Sequence, residues 1–158
     1  MVGLAPTAVA ANAMGPGSGA PPPKKGSLTG QPNRPRANDK DPENLRAAQR
    51  ENESARTLAE NGYDVEQNPP SNSYNKNPDY KLNGEYADCY APSTSDAYSI
   101  IQRIAGKVNT RQASRIVLNL DDSQVPLEVL KKELLENPIA GLKDIIVIKG
   151  GKIILFHP

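Results

Sequence analysis

Two acids, Asp79 and Asp88, flank a short stretch centred on Asn83-Gly84. Asn-Gly suits the positive backbone angles of a tight hairpin turn. The stretch therefore predicts two strands, Pro78 to Lys81 and Glu85 to Tyr90, that bring the acids across from one another. Carboxylates placed in this way can hold a hard divalent cation through oxygen, and an ammonium beside them can stabilise charge building on phosphorus. Lys107, at the end of the next predicted helix, is the candidate ammonium, and Mg2+ is the expected ion because all-oxygen ligands suit it. This is the chemistry of a metal-dependent nuclease. The plain structural alternative makes Asp79 a turn former, Asp88 a strand-edge acid and Lys107 a surface lysine.

The elements that must position these residues follow from pattern. Asp41-Pro42-Glu43 is a helix start, with a capping acid and proline at the first helical position. Leu45, Ala48, Ala55, Leu58 and Ala59 continue it at helical spacing until Asn61-Gly62, and Tyr63 to Gln67 alternates like a strand. After the hairpin, Ser95-Asp96 caps a second helix with the stripe Tyr98, Ile101, Ile104, Ala105 and Val108. Arg115 to Leu120 reads as a strand covered on both faces. A helix over Pro126 to Glu136 and a closing hairpin, 145–149 with 152–156 around Gly150-Gly151, complete the order αβββαβαββ. That order implies an α/β (α+β) fold, a mixed central sheet flanked by helices.

Composition narrows the field. Of 158 residues, 37% are hydrophobic and 23% charged, enough for one domain with a modest core. Residues 1–42 are dominated by Ala, Gly, Pro and small polar types and predict a linker or disordered leader, leaving 43–158 as the folded domain. Five cations (Lys24, Lys25, Arg34, Arg36, Lys40) oppose Asp39 and Asp41 in the leader, a net of +3, so the rest carries −2 of the total +1. Such a domain must concentrate its cations locally to bind phosphate. Arg103, Lys107, Arg111 and Arg115 form that cluster, and Gln112 with Arg111 and Arg103 are the expected nucleic-acid contacts. The single Cys89 excludes an internal disulfide framework, and the single His157, next to last, argues against a Ser-His or Cys-His pair. Leu4 to Ala13 lacks the charged start and long apolar centre of a signal peptide.

A third acid is expected on the first helix. At about 100° per residue Glu51 falls within the apolar arc, whereas Glu53 and Glu60 point away from it. Asn119, in an apolar strand, is either a hydrogen-bonded core amide or a neighbour of the active site.

The segments Arg50-Glu-Asn-Glu-Ser-Ala, Leu58 to Pro69, Asn77-Pro-Asp-Tyr, Asp88-Cys-Tyr-Ala-Pro92, Lys107-Val108 and Arg115 to Leu120 carry a resemblance. Over residues 44–158 the chain resembles the C-terminal tRNA nuclease domain of bacterial contact-dependent growth inhibition toxins. The resemblance implies a PD-(D/E)XK-like nuclease core whose active site maps onto Glu51 or Glu53, Asp79, Asp88 and Lys107. The Asn-Glu pair stressed in such domains favours Glu53. In the superfamily the lysine stands two residues beyond the second acid, a position held here by Tyr90, so Lys107 implies a lysine that has migrated to the following helix. Tyr90 either packs or donates to a phosphate oxygen.

The resemblance further implies tRNA as substrate, a cognate immunity protein, a larger effector chain N-terminal to the domain, and delivery from the producer into the cytoplasm of a target bacterium without stable membrane insertion. A DNA endonuclease of the same fold, a metal-free ribonuclease, and a non-enzymatic binding module using the edge hairpin 145–156 are the alternatives.

Overall fold

The computed structural model describes residues 25–157; the first 24 residues of the expected leader 1–42, including Leu4 to Ala13, lie outside them. Among the described residues seven strands form one sheet whose spatial order follows the chain: β1 (Ser27–Gly30), β2 (Asp64–Gln67), β3 (Tyr80–Leu82), β4 (Glu85–Tyr90), β5 (Arg115–Asn119), β6 (Asp144–Lys149) and β7 (Lys152–His157). The sheet is mixed. β2, β3 and β4 are antiparallel neighbours, β4, β5 and β6 run parallel, and β7 returns antiparallel to β6. The three helices among the described residues are α1 (Pro42–Glu60), α2 (Ala97–Asn109) and α3 (Leu127–Glu136).

Alternation along the strands divides the core in two. Ile116, Leu118, Ile145 and Val147 face α2 and α3, where they meet Ile100, Ile101, Ile104, Leu130 and Leu134. Val65, Tyr80, Leu82, Ala87, Val117, Ile146 and Ile148 face α1 and pack on Ala55, Leu58 and Ala59. The mixed α+β architecture expected from the sequence is therefore present, with one helix on one face of the sheet and two on the other.

The helix starts are chemical. Asp41 caps α1 by accepting from the Glu43 N–H, and Asp96 caps α2 by accepting from the Ser99 N–H at 3.1 Å; each such cap is worth about 1 kcal/mol. The β3–β4 turn has Asn83 at φ 50° and Gly84 at φ 84°, the paired positive angles that Asn-Gly supplies.

Three expectations are corrected. Residues 27–30, assigned to the leader, form the edge strand β1, paired in parallel with β2 from Ser27–Asp64 to Gly30–Gln67. Parallel edge pairing uses backbone groups, so a segment poor in apolar side chains still joins the sheet. Tyr98 is 54% exposed, and the buried stripe of α2 is instead Ala97, Ile100, Ile101 and Ile104. Leu45 is likewise exposed, one turn before α1 reaches the sheet.

Asn119 is a core amide. Its Nδ2 donates to Ser54 Oγ of α1 at 2.8 Å and its Oδ1 accepts from the Asp121 N–H at 2.9 Å.

Candidate active site

The hairpin register that pairs Tyr80 with Ala87 sets Asp79 opposite Asp88 at the open end of β3 and β4. The Asp79 N–H donates to Asp88 Oδ1 at 3.1 Å, and the Cys89 N–H donates to Asp79 Oδ2 at 2.8 Å. Each acid is thus fixed by the other strand's backbone or side chain. Asp88 is almost wholly buried on the α2 face, where Lys107 Nζ donates to its Oδ2 at 2.6 Å. Gln112 Nε2 donates to the Asn77 carbonyl at 2.8 Å and reaches Asp88 Oδ1 at 3.5 Å.

Glu51 comes to the cluster from the opposite face, on the buried side of α1. The Tyr80 hydroxyl, buried in the core, donates to the Glu51 carbonyl and locks that turn of the helix onto β3. Glu51 Oε1 accepts from Asn33 Nδ2 at 3.1 Å, while Oε2 is buried and, among the described residues, has no partner other than Asp79 when that carboxyl is protonated. The acids therefore converge at one sheet end, between α1 on one side and α2 on the other.

Their electrostatics follow from crowding. Burial, then the charges of Asp88 and Glu51, push the Asp79 carboxyl up to about 9, so it is protonated at neutral pH in the absence of a cation. Burial also raises Glu51, against hydrogen bonds from Asn33 and Asp79 that hold it down. A protonated Asp79 is thus the donor available to Glu51. Burial raises the Cys89 thiol, which packs against the α1-side core, so the nucleophilic thiolate is disfavoured.

Glu53 is not brought to this cluster. It accepts from Arg50 at 2.6 Å and from Gln49 at 2.9 Å, and Arg50 in turn binds Asp122 through Nε and Nη2 at 2.8 and 2.9 Å. Two residues along a helix turn the side chain by about 200°, which sends Glu53 away when Glu51 faces inward. Glu60 is exposed at the C-terminal end of α1. Among the described residues no group of three or more His, Cys, Asp and Glu side chains is arranged to hold a metal ion. The expected ligands remain the pair Asp79 and Asp88, with Glu51 beside them.

The expected nucleic-acid contacts divide. Arg103, Lys107 and Gln112 line a shallow groove of about 300 Å³ with Gly106 and Thr110, beside the acids. Arg103 also lies over the Tyr90 ring at 5.9 Å, and Tyr90 packs against the α2-side core. Arg111, at φ 64°, instead stacks over Tyr74 at 4.7 Å and donates to its hydroxyl at 3.1 Å. Arg115 is taken by Asp144, through Nε at 2.9 Å and Nη2 at 3.0 Å, and so leaves the basic cluster.

Comparison with known proteins gives this arrangement a context. Residues 76–153 match the family described as the contact-dependent growth inhibition CdiA C-terminal domain. A solved structure, the CdiA-CT/CdiI toxin and immunity complex from Burkholderia pseudomallei, superposes with a TM-score of 0.77 at 42% identity, covering 84% of this chain and 100% of that one. The chain belongs to the CdiA C-terminal domain family. A further relative, tRNA nuclease CdiA-2 of Burkholderia pseudomallei (strain 1026b), is 44% identical over 135 residues, which are 84% of this chain. The match spans only 4% of that relative's length. The mixed α+β architecture and the toxin family expected from the sequence are therefore both found.

Sequence reasoning passed over Asn33, which lies in the stretch assigned to the leader, and the Cys89 N–H, a backbone group with no side-chain signature. Asn33 had no visible signal. Its small polar neighbours read as linker.

Proposed function

We propose that this chain is a metal-dependent endonuclease toxin domain that cleaves tRNA in competing bacteria and is neutralised by a cognate immunity protein. The observation that carries the reading is the ion pair of Lys107 with the buried Asp88, beside Asp79 and Glu51. An ammonium at such a place can meet charge on a scissile phosphate. Support for the substrate and the partner comes from the relatives, one named a tRNA nuclease and the other solved as a toxin and immunity complex. We read the core as a PD-(D/E)XK variant acting in the target cytoplasm, carried as the tip of a larger effector. Among the described residues no helix is long and apolar enough to cross a membrane.

The side chains fit a hard divalent cation, with Mg2+ as the expected ion. The donor set is all oxygen, and Glu51 Oε2 is buried with no partner among the described residues other than a protonated Asp79. Asp79 and Asp88 would hold the ion with Glu51 adjacent, and it would supply charge neutralisation and a more acidic water. The chain's own residues do the rest. The Cys89 N–H and the Asp79 N–H fix the two carboxylates, so little reorganisation is needed when substrate arrives. Lys107 balances Asp88 and stabilises negative charge on the phosphate oxygens. Gln112, anchored on the Asn77 carbonyl, limits the rotation of Asp88. Arg103, on the groove, contacts the RNA backbone, which makes binding weaken as salt rises.

Incubation of the purified chain with total cellular RNA and with plasmid DNA, in magnesium or excess chelator, tests the reading. Discrete tRNA cleavage that needs the metal is expected. Cutting of plasmid alone would move the assignment to a DNA endonuclease, and cleavage in chelator to a metal-free ribonuclease.

A further inference from the structure

The strap between β1 and α1 reaches the acid cluster through one side chain. Asn33 is docked on both sides by Asn52: its N–H donates to Asn52 Oδ1 at 2.8 Å, and its carbonyl accepts from Asn52 Nδ2 at 2.9 Å. Asn52 Oδ1 also accepts from Gln67 Nε2 of β2 at 2.9 Å, and Gln67 is buried. A chain of amides thus runs from the sheet through α1 to the strap. It leaves the Asn33 Nδ2 donor aimed at Glu51 Oε1, 3.1 Å away.

We infer that Asn33 is a positioning residue for Glu51, holding its carboxylate in the orientation that leaves Oε2 free toward the other acids. The inference rests on the reading of the Glu51, Asp79, Asp88 and Lys107 cluster as the nuclease site. A buried carboxylate with rotatable bonds samples several orientations unless a donor selects one, and Asn33 is the only donor the described residues give the Glu51 carboxylate apart from a protonated Asp79. The reciprocal clamp by Asn52 fixes the Asn33 backbone, so its amide arrives already ordered. The strap is then part of the catalytic machinery, although it precedes the first helix.

Asn33→Asp, nearly isosteric, removes the donor and keeps the shape; Asn33→Ala removes both. The assay follows turnover on unfractionated tRNA together with the side-chain carboxyl ¹³C resonance of Glu51, assigned by its loss in Glu51→Gln. The expected result is a fall in kcat of about tenfold or more for both variants with KM within about twofold, since a small misplacement of a reacting group costs up to about 100-fold. The Glu51 resonance moves in both, and Tm changes by less than about 5 °C.

An unmoved Glu51 resonance overturns the inference whether or not kcat falls, and so does a loss of activity that only tracks a large fall in Tm. A wild-type chain that cleaves no RNA defeats the nuclease reading instead, and the resonance then decides the contact by itself.

Discussion

Lys107 Nζ stands 2.6 Å from Asp88 Oδ2, although 19 residues and most of a helix separate them. The contact arises because β4 runs parallel to β5, so the chain must cross the sheet face through α2, and the last turn of that helix returns over the strand that carries Asp88. A lysine delivered by a crossover helix can occupy the place that a lysine two residues along the strand would fill. Tyr90, at that strand position, is free to pack beneath Arg103.

The two candidate helix acids separate cleanly. Glu51→Gln is expected to lower single-turnover tRNA cleavage by about 100- to 1000-fold, the scale seen when one preorganised group that stabilises developing charge is removed. Glu53→Gln, which loses only its contacts with Arg50 and Gln49, is expected to stay within about threefold. Rate measurements on the two variants under identical magnesium check this; equal losses would place Glu53 in the machinery.

Legibility in the sequence followed the kind of signal. The caps at Asp41 and Asp96, the Asn83-Gly84 turn and the apolar strand Arg115 to Leu120 were visible because each has a local chemical signature. The phase of α1 already favoured Glu51, since a helix buries one arc and Glu51 lies in it. β1 was hidden because its four residues are all exposed and join the sheet through backbone pairing and two hydroxyl contacts, Ser27 with Asp64 and Thr29 with the Val65 carbonyl, rather than through apolar burial. Tyr98 misled because an aromatic ring suggests core, while the helix's actual arc begins at Ala97. Asn33 was hidden by distance, since its contact with Glu51 exists only once the strap has folded back on α1.

Asp79 couples stability to pH. Its carboxyl titrates near 9 in the folded metal-free chain against 3.8 as the ordinary value, so folding favours the protonated form. That contribution is full below about pH 4 and is lost as pH rises toward 9. Asp79→Asn, neutral throughout, is therefore expected to melt at least about 5 °C above wild type at pH 8 in chelator, with the gap closing toward pH 4. Thermal melts across that range measure it, and a variant less stable than wild type at pH 8 would show that Asp79 is not strained.

The contacts of Arg50 and Arg46 of α1 with Asp122 give the opposite sign. Hydrogen bonds from Arg50 and then Arg46 hold Asp122 down to about 2, below its ordinary 3.8. The stabilisation is present above about pH 4 and is lost as pH falls through 2. Asp122→Asn should cost about 1 kcal/mol at pH 7, the scale of a partly exposed charge network, and only a small part of that at pH 2. Urea melts at the two pH values test this, and an equal cost at both would point to packing alone.

Gly30 holds the end of β1 at φ 79°, and a Cβ there would meet the Gln67 carbonyl at 2.1 Å. Gly30→Ala combines a left-handed backbone with a backbone clash, so a loss of about 1–3 kcal/mol is expected. Faster amide exchange confined to 27–33 and the facing β2 would accompany it; exchange unchanged there would mean the strap tolerates the methyl group.

The most direct measurement is the single-turnover rate of tRNA cleavage with saturating magnesium for wild type, Asp88→Asn and Lys107→Gln. Wild type is expected to cleave, and each substitution to lower the rate by about 1000-fold or more, with the double variant little worse than either, because the two residues act as one unit. Cleavage at near wild-type rate by Asp88→Asn would contradict the account and leave the acid cluster a structural feature.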